Sequence, residues 1–151
     1  MVPLEFRVEV MDNLQEIKIP IFGPELAPDR CSTYARLAAE LIFGAQYPEV
    51  STKKIRFAHE IGTIPASNSQ LPELVRHGIV TPGMLLGVYS PRNRYNDSIN
   101  PYAHLSLFLG QQARTPLFLE QLGRRIRTAN LGDYDLEGCE IKEALFLKKL
   151  S

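Results

Sequence analysis

The chain has 151 residues, 44% of them hydrophobic and 23% charged, with 17 basic residues balanced by 17 acidic ones. That size and composition fit one ordinary globular domain with a core of its own. Zero formal net charge gives no reason to expect a nucleic acid or an anionic lipid as partner, no apolar run approaches the roughly 18 residues of a membrane span, and two cysteines make neither a disulfide scaffold nor a zinc-ligand spacing.

Leu4, Phe6, Val8 and Val10 alternate with Glu5, Arg7, Glu9 and Met11, the period of a half-buried strand. Asp12-Asn13 signals a turn, and Ile17 and Ile19 around Lys18 form a short return strand, so residues 4–20 read as a β-hairpin set before the main fold. The first eleven residues lack a basic n-region and an apolar h-region, so the expectation is synthesis in the cytoplasm without a signal peptide. Gly23, Pro24 and Pro28 make a loop that leads to a helix. Tyr34, Ala35, Leu37, Ala38, Leu41, Ile42 and Ala45 supply its apolar stripe, Gly44 lies near its end and Pro48 closes the segment. Cys31 falls in the first turn, where free backbone N–H groups and the positive end of the macrodipole favour a thiolate.

A second, shorter helix is expected over Thr52–Ile61, capped by Ser51 or Thr52 and stopped by Gly62. Residues 64–70 read as loop, and Leu71, Leu74 and Val75 as one or two further helical turns ending at Gly78. His59 and His77 read as surface or capping histidines. Thr81-Pro82-Gly83 is a turn into a core strand, Met84–Tyr89, followed by a long polar loop over Ser90–Tyr102. In the next strand Leu105, Leu107 and Leu109 point one way, and His104, Ser106 and Phe108 the other. Pro116–Leu122 is its partner: Leu117 and Leu119 continue the leucine face, and Phe118, Glu120 and Leu122 share the opposite one. A hairpin would set His104 against Glu120 or Gln121, the register staying open because the connection can hide a bulge. Strands are expected over 124–129 and, once or twice, within 136–147. The run Arg124-Arg125-Ile126-Arg127 reads as a solvated strand edge, and Cys139 as structural.

Together these residues form a nucleophile, a base and an orienter: Cys31, His104 and Glu120, with Gln121 the alternative third member. The imidazole would take the thiol proton and later protonate a leaving amine, and N–H groups of the Cys31 helix would hold an oxyanion.

The residues also carry a resemblance. Arg30-Cys31-Ser32 opening a helix resembles the Asp-Cys-Ser-Gly helix start of NlpC-type cell-wall cysteine peptidases. Thr81-Pro82-Gly83-Met84-Leu85-Leu86 resembles their Pro-Gly-Asp turn into the first core strand, and His104-Leu105-Ser106-Leu107-Phe108-Leu109-Gly110 resembles their His-Val-Gly-Ile-Tyr-Leu-Gly strand. Phe118-Leu119-Glu120 is similar to the strand that completes their triad. Arg30 and Thr33 depart from the pattern, and Phe22-Gly23 stands where a tyrosine often serves the oxyanion hole. A cation at residue 30 would further favour the thiolate.

The resemblance, over about residues 20–122, implies an α+β, papain-like NlpC-type fold with N-terminal helices packed on a central antiparallel sheet; the N-terminal hairpin has no counterpart in it and is expected as an extra element. The whole is expected to be one domain over 1–151, with 1–20 the hairpin and 21–151 the cysteine hydrolase core. The resemblance implies a metal-free and cofactor-free endopeptidase or amidase acting on peptidoglycan stem peptides. Ser32, Tyr34 and Arg92 are candidate oxyanion or substrate-binding residues. Such an enzyme would act in the periplasm or cell wall, or travel in a virion, with an immunity, delivery or virion partner. Two alternatives stay open: a toxin-type protein deamidase or protease on the same fold, and a non-catalytic virion or binding protein that retains it.

Overall fold

The computed structural model describes residues 5–10, 13–19, 31–48, 55–91, 102, 104–123 and 125–148. Alternation in the first segment gives strand β1 (Glu5–Val10), with Val8 and Val10 buried while Glu5, Arg7 and Glu9 are exposed. It pairs antiparallel with β2 (Asn13–Lys18), from Glu5 opposite Lys18 to Val10 opposite Asn13. The hairpin does not stand apart from the rest: β1 joins the main sheet through Glu9 and Gln111 of β5 (His104–Gln112).

Helix α1 (Cys31–Phe43) ends in an αL cap. Gly44 adopts a left-handed φ of 71°, its N–H donates to the Glu40 carbonyl, and the Ala45 N–H donates to that of Ala39. The buried stripe is Tyr34, Ala35, Ala38 and Ala39, backed by Ile42, Phe43 and Ala45. The expected stripe was rotated by part of a turn. Leu37 and Leu41 lie 37% and 63% exposed, because small alanines let α1 approach the sheet closely, whereas leucines at those positions would hold it off.

The remaining strands are β3 (Ile61–Pro65), β4 (Leu85–Tyr89), β6 (Thr115–Leu122), β7 (Arg125–Asn130) and β8 (Glu140–Leu147). All recorded pairings are antiparallel, in the order β2-β1-β5-β4-β8-β3, with β6 and then β7 continuing from β5. Helices α2 (Leu71–Arg76) and α3 (Leu131–Glu137) complete an α+β fold with three helices among the described residues.

The core has two faces. One gathers Leu105, Leu107, Leu109, Leu117 and Leu119 with α1 and the β1–β2 valines and isoleucines. The other gathers Leu86, Val88, Phe108, Phe118, Tyr134 and Leu71, beneath α2 and α3. The sheet is therefore covered on both sides, with helices on each.

Two expected elements differ. Residues 61–65 form an edge strand against β8, where the last residue of a helix and then a loop from 64 were expected, and Gly62 sits against the Phe146 ring, which a Cβ would meet at 2.2 Å. Of the helix expected over 52–61, 52–54 lie outside the described residues, Ile55 is helical and 56–60 are not. Within the C-terminal part, residues 131–137 are helical, where 130–135 carried no assignment and a strand was expected from 136. Asn130 and Asp133 form a reciprocal capping box, and Gly138 ends the helix at a φ of 72°.

Candidate active site

The site lies where α1 begins and β5 begins. Cys31 is half-buried in the first turn of α1. His104 is the first residue of β5, opposite Val88 of β4, and is 5% exposed. The two side chains are hydrogen-bonded to each other. The His104 Nε2 lies 2.9 Å from Oε1 of Glu120, which leaves Nδ1 to face the sulfur.

A bulge makes this meeting possible. Around the two-residue loop Ala113–Arg114, both residues at positive φ as a type I′ turn requires, Gln112 pairs with Thr115, Gln111 with Pro116 and Gly110 with Leu117. Past Leu109 the register shifts by one, to Phe108 with Phe118 and Leu107 with Leu119. Continued, the shifted register sets Glu120 across from Ser106, so Glu120 shares His104's face and reaches it diagonally. Without the bulge Glu120 would oppose Leu107 and point into the leucine core, since a slip of one residue exchanges the faces. Gly110 carries the bulge at a φ of 131°, and a Cβ there would sit 2.3 Å from the Glu9 carbonyl oxygen.

Glu120 is 1% exposed and its carboxylate is enclosed by donors. Oε1 accepts from His104 and from the Tyr134 hydroxyl at 2.5 Å. Oε2 accepts from Arg127 Nε at 2.7 Å. Arg127 stands directly opposite Glu120 in the β6–β7 ladder, and its two terminal nitrogens bind Glu137 of α3 at 3.1 and 2.7 Å. Tyr134 is held by stacking on Phe118, with centroids 4.9 Å apart. A line of alternating charge thus runs from Glu137 near the surface through Arg127, Glu120 and His104 to the sulfur.

Electrostatics follow from this arrangement. Burial alone would hold the Cys31 thiol neutral, but the hydrogen bond and charge of His104, with the backbone N–H groups of Leu105 and Ser32, bring its pKa below the usual thiol value. Burial likewise opposes charge on His104, yet Cys31 and Glu120 raise it to about 10. Glu120 is lowered: its burial is outweighed by His104, Tyr134 and Arg127. Together these shifts favour the thiolate–imidazolium form of the pair. It can attack an electrophilic carbonyl carbon without an outside base and return a proton to the departing group.

Other expected residues fall elsewhere. Gln121 turns away, its amide nitrogen donating to the Gly123 carbonyl at 2.6 Å, so of the two candidates Glu120 is the one at His104. Ser32 offers its backbone N–H to the sulfur, while its buried hydroxyl has no hydrogen-bond partner among the described residues. Tyr34 belongs to the core at 1% exposure, because it lies on the stripe of α1 that meets the sheet. Arg92 lies outside the described residues, as do Phe22, Gly23 and Arg30. His59 and His77 are exposed, each with a ring nitrogen 3.2 Å from a carboxylate oxygen, of Glu60 and of Glu73. Cys139 is buried in the second core cluster.

Arg127 and Tyr134 were missed, although the sequence carries signals for both. The pairing of Leu122 with Arg125 carries through to Glu120 against Arg127, so Arg127 of the basic run is not at a solvated edge. Asn130, Asp133 and Gly138 mark the start and stop of the helix that bears Tyr134.

No protein-family model and no curated protein matches the chain. Among solved structures the chain is similar to the crystal structure of Ly7917, with 14% identity and a TM-score of 0.43, over 83% of this chain and 57% of that one. The chain thus spans 57% of that neighbour, and a likeness this loose carries no argument about activity. What stands plainly is an α+β chain with an antiparallel sheet, in which a half-buried Cys31 meets a buried His104 and Glu120.

Proposed function

We propose that this chain is a cysteine-dependent amide hydrolase of the papain-like, NlpC-type kind, with peptidoglycan stem peptides as its substrate. The observation that carries the reading is the contact of Cys31 with His104, itself fixed by a buried Glu120 whose oxygens are all engaged. The substrate class rests on the sequence resemblance of the Cys31, Pro82-Gly83 and His104 segments to cell-wall peptidases.

In the reaction the Cys31 thiolate attacks the amide carbonyl carbon and a C–S bond forms. Negative charge moves to the carbonyl oxygen, which backbone N–H groups of the first turn of α1 would hold. His104 gives its Nδ1 proton to the amide nitrogen, the C–N bond breaks and the amine departs, leaving a thioester. His104, now neutral, takes a proton from water as that water attacks the thioester carbon. Collapse expels the thiolate, the acid product leaves, and the proton on His104 restores the ion pair. Glu120 keeps its charge throughout, holding Nε2–H and stabilising the imidazolium.

Incubation with purified muropeptides tests the reading. Wild type is expected to release new amino groups from stem peptides, and Cys31→Ala and His104→Ala to release none. Cleavage unchanged in both variants would overturn the assignment.

A further inference from the structure

A second buried ionic cluster lies outside this network. Tyr102 is fully buried on the leucine face. Its ring fills the space over Gly87, where a Cβ would stand 2.4 Å from two of its ring atoms. Its hydroxyl donates to Glu143 Oε1 at 2.5 Å, and Arg56 Nε reaches the same oxygen at 3.0 Å. The Glu143 side chain is 11% exposed. A charge so enclosed is costly to desolvate, and packed hydrophobic residues often do as well for stability alone.

Its place in the sheet suggests what it does. Gly87 pairs with Leu105 on one side and with Glu143 on the other. The cluster therefore spans β4 and β8 beside the start of β5. Tyr102 precedes by two residues the base His104 and by three residues Leu105, whose N–H reaches the sulfur. The ring anchors this segment to β4 and the hydroxyl anchors it to β8. Without either anchor, the chain is free to shift where both groups must meet Cys31, and hydrogen bonds weaken steeply with misalignment.

We propose that Tyr102, Glu143 and Arg56 form a positioning cluster that holds the first residues of β5 where His104 and the Leu105 N–H meet the Cys31 sulfur. The inference rests on the Cys31–His104 pairing, though not on the identity of the substrate. Its test is the rate of Cys31 alkylation by iodoacetamide, read by peptide mass, in wild type, Tyr102→Phe, Tyr102→Ala and His104→Ala. Leu71→Ala, in the opposite core cluster, serves as a variant destabilised by a cavity alone, and melting temperature is followed in all.

At about pH 6, where an ordinary thiol is almost wholly protonated, Tyr102→Ala is expected to slow alkylation by about tenfold or more, and Tyr102→Phe by a smaller factor, since it keeps the ring and loses the hydroxyl. Both deficits should close at about pH 10, where any thiol ionises. Leu71→Ala should lower the melting temperature and leave the rate unchanged. Tyr102 variants that alkylate like wild type while His104→Ala slows would overturn the positioning role and leave the ion pair standing. Equal slowing by Leu71→Ala would also overturn it. An unaltered rate in His104→Ala would overturn the pairing itself and the positioning role with it.

Discussion

Replacing Glu120 by Gln keeps the size of the side chain and one acceptor oxygen, and removes the charge that faces His104. The contact is 2.9 Å between groups 7% and 1% exposed. Taking the charge centres as about 4 Å apart in an effective dielectric of about 20, the lost attraction is about 4 kcal/mol. Arg127, at 2.7 Å from the other oxygen, already offsets part of that charge, so about half, about 2 kcal/mol, is expected to reach the imidazolium. This corresponds to roughly a 30-fold smaller population of the thiolate–imidazolium pair. The assay is alkylation of Cys31 at about pH 6, where a free thiol contributes little. The expected result is a loss of at least about tenfold in rate for Glu120→Gln. A rate within about twofold of wild type would show that Glu120 does not support the pair, and the charge-line account of the site would fail.

Stability should respond to pH in a particular way. The folded pKa of His104 is raised from 6.5 to about 10, so its contribution is full below 6.5 and is lost as pH rises toward 10. That of Cys31 is lowered from 9.0, so its contribution is full above 9.0 and is lost as pH falls. Between 6.5 and 9.0 the two slopes therefore oppose each other, and from 9.0 upward only that of His104 remains. The pair's contribution, read as the difference in urea midpoint between wild type and the double variant Cys31→Ala/His104→Ala, is expected to fall as pH rises from 9.0 toward 10. No fall over that span would refute the raised pKa of His104. Tyr134→Phe keeps the stack on Phe118 and removes one hydrogen bond to a buried carboxylate, a loss of about 1.5–3 kcal/mol in chemical denaturation; an effect under about 0.5 kcal/mol would refute the role given to this hydroxyl. Gly110→Ala sets a Cβ against the Glu9 carbonyl at a φ of 131°, and is expected to cost about 3 kcal/mol or more, as overpacking and backbone strain combine. A melting temperature equal to wild type would refute the need for glycine at the bulge.

Local patterns made much of the site legible. Alternation in 104–109 and 117–122 assigned His104 and Glu120 to one face, and the position of Cys31 before an amphipathic stripe placed it in the first turn of a helix. The register was not legible, because the bulge at Leu109 depends on where β1 crosses Gly110, a contact between segments about a hundred residues apart in sequence. The helix stripe was misjudged for a related reason: leucine and alanine are both apolar, and only the closeness of the sheet selects the alanines. Arg127 and Tyr134 were lost to composition, since an arginine-rich strand and a seven-residue helix look like surface until the Glu120–Arg127 register is fixed.

The most direct test of the ion pair is the ultraviolet absorbance of the thiolate as a function of pH, taken as wild type minus Cys31→Ala, and repeated in a His104→Ala background. The account predicts a wild-type thiolate that persists below the usual thiol range of about 8.5 and a midpoint that moves up when His104 is removed. A wild-type midpoint at or above the value of an ordinary thiol, unmoved by loss of His104, would contradict it.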